Sequence, residues 1–382
     1  RSNCQATPTS TTKALLHQWE ELIYSMTASM SSFLNLLRLG AALAVFLGHC
    51  NFPWFFGTAQ FGPQNGQDYV IVFFVLSGFV IAWSTSRKGD DLLFAQFAFD
   101  RLTRLWSVAL PALLIGFFLE WASQTLQPST TFDPFSLQNH FRYFITASFL
   151  HETWFLSVRP GSNTPFWSLS YEFFYYFMFG SLLLLNKMRN KIFACLACAL
   201  LAGPKVLLLL PCWLVGVLAY HSARHFPPNR LISVLLLVGS VSFLLVRLVE
   251  RWAVWHPSSH PGLGVPPLFY SAKYIDDYQT ALACALMIFA ASKWLSWTRR
   301  NVGSVGNLIR HLANSTFSLY LFHFPILIFL STIWSSYAES PPTKPFAIIT
   351  ALLLCYLLSF PFERPLTKQR RQLLSLFPIL TQ

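Results

Sequence analysis

Residues 33–50 read FLNLLRLGAALAVFLGHC, and this stretch decides the fold. It is eighteen residues long and almost wholly apolar, long enough to be read as a helix crossing a bilayer. Two ionisable side chains interrupt it, Arg38 and His49. Each such group inside a membrane helix costs about 2.5–3.5 kcal/mol on insertion scales, so it needs a partner, a wet cavity or a task. The two are eleven residues apart. At about 100° per residue that is three turns plus roughly 20°, which puts both on one face about 16 Å apart along the axis. A face with a cation at one end and an imidazole at the other suggests a lined passage. Taken alone, His49 also fits a core histidine bonded to a neighbouring backbone.

The rest of the chain continues the pattern. Of 382 residues, 54% are hydrophobic and 11% charged, against roughly 25% charged in soluble proteins. The reading is an all-α polytopic membrane protein of one domain. About ten spans are expected, near 33–52, 68–86, 103–122, 166–186, 192–203, 205–222, 231–249, 277–295, 312–335 and 346–363. The fifth and sixth are separated only by Gly203, Pro204 and Lys205 and also fit one broken span. The aromatic, semi-polar stretch 141–157, with His151 and Glu152, is placed at the interface as a re-entrant or amphipathic piece.

The net charge of +12 is spread through short loops rather than along one stripe, which argues against nucleic acid as a partner. With the N-terminus inside, seventeen Lys and Arg fall in inner loops and five in outer loops, so both termini are expected in the cytoplasm. The outer segments 123–165 and 250–276 are long enough for lids or binding surfaces, and equally fit plain connectors. The expected organisation is a polar segment 1–30, a membrane domain 31–368 and a short cytoplasmic tail 369–382. Met26 or Met30 is the expected native start. Cys195 and Cys198 form a C-x-x-C inside an apolar helix, where the spacing places two small residues on one face; no metal site is expected.

Polar groups recur within the later apolar runs. Residues 70–83 read VIVFFVLSGFVIAW, where Ser77-Gly78 lets another helix approach closely. In FDRLTRLWSVALP (99–111), Arg101 and Arg104 are i, i+3 on one helix face. Two such forks suit a phosphate-bearing ligand, and also suit ordinary anchoring to lipid headgroups. In TPFWSLSYEFFYYF (164–177), Glu172 is expected at about the depth of His49, where a carboxylate would orient the imidazole; pairing with an Arg is the structural alternative. In NSTFSLYLFHFPILIF (314–329), Tyr320 and His323 are i, i+3 and Pro325 loosens the helix beyond them. The last span closes in FPFERPL (360–366), where Glu363 reads as a structural counter-charge to Arg38 or the arginine pair.

Taken in order, these elements resemble acyltransferase family 3, the membrane acyltransferases that O-acylate sugars and related molecules. The matching pieces are Arg38-x10-His49, FFVLSGF, Arg101-x-x-Arg104, WSLSYEFFYY, SLYLFHFP and FERP, spread from residue 33 to about 368. The resemblance implies an acyl-CoA donor, usually acetyl-CoA, and a hydroxyl acceptor on a sugar, glycan or other small or lipid-linked molecule, in an integral protein of the plasma (inner) membrane with lipid around it. It implies that His49 is catalytic, as general base or as acyl-carrying nucleophile, and that Arg38, Arg101 and Arg104 are essential. Glu172 joins the catalytic candidates as the group orienting His49. Ser77, Tyr320 and His323 join Arg101 and Arg104 as donor-binding candidates, with Ser77, Tyr320 and Arg38 as candidate oxyanion donors. Two positions depart from the family pattern. Asn35 stands where an acid usually precedes the first-span arginine, and residues 52–67 contain no acid, Asp68 being the first. Either Glu172 or Asp68 is then expected to replace the missing acid. The competing reading is a transporter or flippase with the same polar pathway, although the spans show no paired inverted halves.

Overall fold

A computed structural model describes residues 27–51, 66–88, 92–127, 136–226, 229–253, 267–296, 303–334 and 343–365. The expectations for residues 1–26, for part of the segment 250–276 and for the tail beyond 365 lie outside the described residues. Among the described residues every regular element is helical. They are α1 (Ala28–Cys50), α2 (Gln67–Lys88), α3 (Phe94–Leu126), α4 (Leu137–Ala147), α5 (Trp167–Leu184), α6 (Met188–Ala202), α7 (Pro204–Leu208), α8 (Leu210–His225), α9 (Arg230–Ala253), α10 (Tyr274–Ser296), α11 (Gly303–Ala313), α12 (Thr316–Trp334) and α13 (Thr343–Phe362).

Seven of these are long and apolar enough to cross a bilayer: α1, α2, α3, α7–α8 taken together, α9, α12 and α13. Their surfaces support this. Leu235, Val238, Leu245 and Val246 of α9 are exposed, as are Phe346, Ile349 and Leu353 of α13. In water such surfaces would drive aggregation, whereas in lipid they are ordinary. The other three expected spans match α5, α6 and α10 in position. α6 has only 15 residues, about 22 Å of helix.

α1 starts where Thr27 caps it, its side chain accepting from the Met30 amide at 3.1 Å. Between α6 and α7 the chain breaks at Gly203, whose φ of +80° suits a residue without Cβ. Pro204 then occupies the first turn of α7, where its missing N–H costs nothing. α6 and the α7–α8 segment are therefore separate helices. The stretch 141–157 falls partly on α4, an 11-residue amphipathic helix too short to cross, and partly on a folded loop.

That loop is pinned down. Trp154 donates its amide to Ala202 O (2.9 Å) and its Nε1 to Leu200 O (2.7 Å). Glu152 is buried in an ion pair with Lys205 and accepts from Ser157 Oγ at 2.7 Å. The core helices are α2, α8, α12 and α3, with α1 laid against α2 and α12. α2 and α8 cross backbone to backbone at Gly78 and Gly216: a Cβ on Gly78 would overlap Trp213 O, and one on Gly216 would overlap Val75 O. The Ser77-Gly78 pair thus permits the close approach expected of it.

Candidate active site

Five helices converge on one pocket. α1 supplies Arg38, α2 Ser77, α3 Arg101 and Arg104, α5 Ser168, Glu172 and Tyr176, and α12 Tyr320. The space is about 820 Å³ including its mouth. Phe73, Phe74, Leu76 and Leu105 form its apolar walls. Three guanidinium groups therefore face a space that holds one carboxylate.

The carboxylate is already engaged. Glu172 Oε1 accepts from Ser77 Oγ at 2.6 Å and from Tyr176 OH. Ser77 Oγ in turn accepts from Trp213 Nε1 at 3.2 Å, which ties α8 into the network. On the α12 side, Tyr320 OH donates to Pro165 O (2.9 Å) and lies 2.8 Å from Ser168 Oγ. Arg101 lies with its guanidinium carbon 5.4 Å from the Phe97 ring centre, and its buried Nε has no hydrogen-bond partner. A buried donor left unpaired costs about 1–3 kcal/mol, so an anion entering here would satisfy it. Glu363 does not neutralise the arginines by direct contact. Its two oxygens accept from the Phe317 (3.2 Å) and Ser318 (2.8 Å) amides, capping the first turn of α12.

His49 and His323 lie outside this pocket lining and meet each other. His49 Nδ1 and His323 Nε2 are 2.7 Å apart, with 21° between the ring planes. His323 Nδ1 lies 2.7 Å from Leu319 O. Phe324 packs edge-on against His49 with ring centres 5.0 Å apart, and Phe46 does the same to His323 at 5.8 Å. His323 is fully buried.

Two expectations are corrected here. Glu172 was expected to orient His49, but its hydrogen bonds go to Ser77 and Tyr176. It shares a pocket with Arg38, eleven residues along α1 from His49, and that pocket's lining does not include His49. The reason is helix choice: α5 presents Glu172 toward α2 and α3, while the C-terminal end of α1 turns His49 toward α12. His323, expected among the donor-binding groups, is the side chain that meets His49. Tyr320, one turn earlier on α12, keeps the pocket side. Asp68 lines a different, apolar cavity on the far side of α1, together with Arg247 and Thr280.

Sequence reasoning missed Tyr176 and Asn163. Tyr176 was findable, since it stands at i+4 from Glu172 and must share its helix face. Asn163 gave no sequence signal. It donates from Nδ2 to Leu321 O at 2.9 Å. Leu321 is four residues before Pro325, which has no N–H to give that carbonyl. A loop residue therefore completes the α12 ladder one turn from the histidine pair.

The chain is similar to Acyltransferase MdmB of Streptomyces mycarofaciens, at 29% identity over 323 residues, covering 76% of this chain and 77% of that protein. No solved structure matches it. The profile of a family described as an acyltransferase domain matches residues 31–360, so the same helices that build the pocket are those the family shares, and the chain belongs to acyltransferase family 3.

Proposed function

We propose that this protein is a membrane-embedded O-acyltransferase that moves an acyl group, acetyl in the first instance, from acyl-CoA to a hydroxyl of a carbohydrate or other small or lipid-linked acceptor. The observation that carries this reading is the convergence of Arg38, Arg101 and Arg104 from two helices on one pocket, whose Tyr320 stands one turn of α12 from the histidine pair. Guanidinium forks in a partly apolar space bind phosphates well, because the low dielectric strengthens each charge-assisted bond. On this reading Arg101 and Arg104 hold the phosphates of the CoA moiety, and its long arm carries the thioester past Tyr320 toward His49. His49 takes the proton of the acceptor hydroxyl as that oxygen attacks the thioester carbon. Ser77, Tyr320 and Arg38 are the hydrogen-bond donors available to the developing oxyanion, and Glu172 holds Ser77 and Tyr176 in place.

The same reading places the chain in the plasma (inner) membrane with ten crossings and both ends cytoplasmic. The loop charges support this, and so do the ten helices found at the expected positions.

The test uses purified protein in detergent with acetyl-CoA and follows free thiol for wild type, His49→Ala and Arg101→Gln. Slow thiol release in the absence of acceptor is expected, strongly reduced in both variants. Equal release from all three, together with no measurable CoA binding, would remove the acyltransferase assignment of these residues. Donor-independent flux of a candidate solute across vesicles would favour the transporter reading instead.

A further inference from the structure

The histidine pair fixes more than a contact. His323 Nδ1 sits 2.7 Å from the carbonyl oxygen of Leu319. A carbonyl only accepts, so Nδ1 must carry the hydrogen. In a neutral imidazole the other nitrogen is then an acceptor. His323 Nε2 faces His49 Nδ1 at 2.7 Å. A hydrogen bond of that length needs one hydrogen, and His49 Nδ1 must supply it. His49 then bears its lone pair on Nε2. That edge of the ring lies against Gly66, where an added Cβ would stand 3.8 Å from Nε2.

We infer that His323 is a positioning residue that sets the tautomer of His49, so that Nε2 of His49 is the atom that deprotonates the acceptor. The inference rests on the acyltransferase reading for its chemistry, though not for its geometry. In the step it supports, the acceptor O–H bond breaks and the proton moves to His49 Nε2. The acceptor oxygen forms a bond to the acyl carbon while the carbon–sulfur bond breaks. The proton then passes from Nε2 to the departing thiolate, and His49 returns to its starting form. Throughout, His49 Nδ1–H donates to His323, whose neutral ring supports the transient imidazolium without taking its proton. This is the role that an orienting carboxylate plays beside other catalytic histidines, and no acid is needed for it. The absence of acid from residues 52–67 is then no defect in the site.

Several parts of the fold keep His323 in place. Phe46 packs on its ring. Asn163 holds the Leu321 carbonyl that Pro325 leaves unpaired, which steadies the turn of α12 bearing the imidazole.

The test labels all histidine ring nitrogens with 15N in the detergent-solubilised protein and identifies the His49 signals by their loss in His49→Ala. The expected wild-type spectrum shows His49 protonated at Nδ1. In His323→Leu that preference should disappear and kcat should fall about ten- to a hundredfold, a part of what a general base contributes, with KM for acetyl-CoA changed little. In His323→Gln the side-chain oxygen can again accept from Nδ1–H, and kcat should return to within about tenfold of wild type. A wild-type His49 protonated at Nε2, or equal loss in the Leu and Gln variants, would overturn the inference. Wild-type protein without thiol release from acetyl-CoA would count against the acyltransferase reading, while the 15N spectrum would still decide the tautomer.

Discussion

Arg101 is the side chain at which several physical arguments meet. It lies on the first turns of α3, rests on the Phe97 ring and holds a buried Nε with no partner. Lysine keeps the charge and loses the planar fork, so Arg101→Lys is not a conservative change here. The KM for acetyl-CoA should rise about tenfold or more in that variant, matching the loss of one charge-assisted bond, with kcat nearly unchanged; steady-state thiol release at varied donor concentration measures both. His151 offers a second residue-scale prediction. It lies in the loop 148–163, fully buried, with Nε2 3.0 Å from Phe166 O. Burial holds its pKa down at about 4, against 6.5 when exposed. Between those values the unfolded chain binds a proton that the folded one does not. The contribution of this residue is therefore fully present above about pH 6.5 and is lost as pH falls toward 4. Thermal unfolding followed at pH 7.5, 6 and 5 should show wild type losing stability faster than His151→Gln.

At the scale of elements, helix contacts make sharper statements than single side chains. Gly78 and Gly216 let α2 and α8 touch through their backbones, so a methyl group at either one must push the helices apart. Gly78→Ala should destabilise by about 1–3 kcal/mol, as overpacking does elsewhere, and the double variant should cost less than the sum because the two sites share one contact. Denaturation in detergent compares the three proteins. The proline inside α12 supplies another case. Asn163→Ala leaves the Leu321 carbonyl buried and unpaired, at a cost of about 1–3 kcal/mol. Pro325→Ala restores an N–H that can reach that carbonyl, so the Asn163→Ala penalty should shrink in the Pro325→Ala background.

For the molecule as a whole, the loop 148–163 and the helix break at Gly203 form one unit. The buried pair of Lys205 and Glu152 joins the loop 148–163 to the start of α7. Removing one charge strands the other, so Lys205→Met alone should be strongly destabilising, by about 3–5 kcal/mol. Lys205→Met with Glu152→Gln should recover most of that loss, and thermal unfolding of the pair against the single variant decides it. A contact of this kind also explains why the loop is folded over the bundle and not a plain connector.

The sequence by itself determined the membrane character, the helical class and the family. Those signals are local. Apolar runs of about twenty residues, the 3.6-residue period and loop charge can be read without knowing which helix lies beside which. For the same reason Arg101 and Arg104 could be placed on one face, and Ser77-Gly78 at a close helix contact. Only the tertiary structure decided the partners. Glu172 and His323 were both legible as polar groups inside helices, yet their assignments depended on which helix each one faces. That depends on packing between segments 95 and 274 residues apart, α2 against α5 and α1 against α12. Helix periodicity fixes the direction of a side chain about its own axis, and the neighbouring helices decide what stands in that direction.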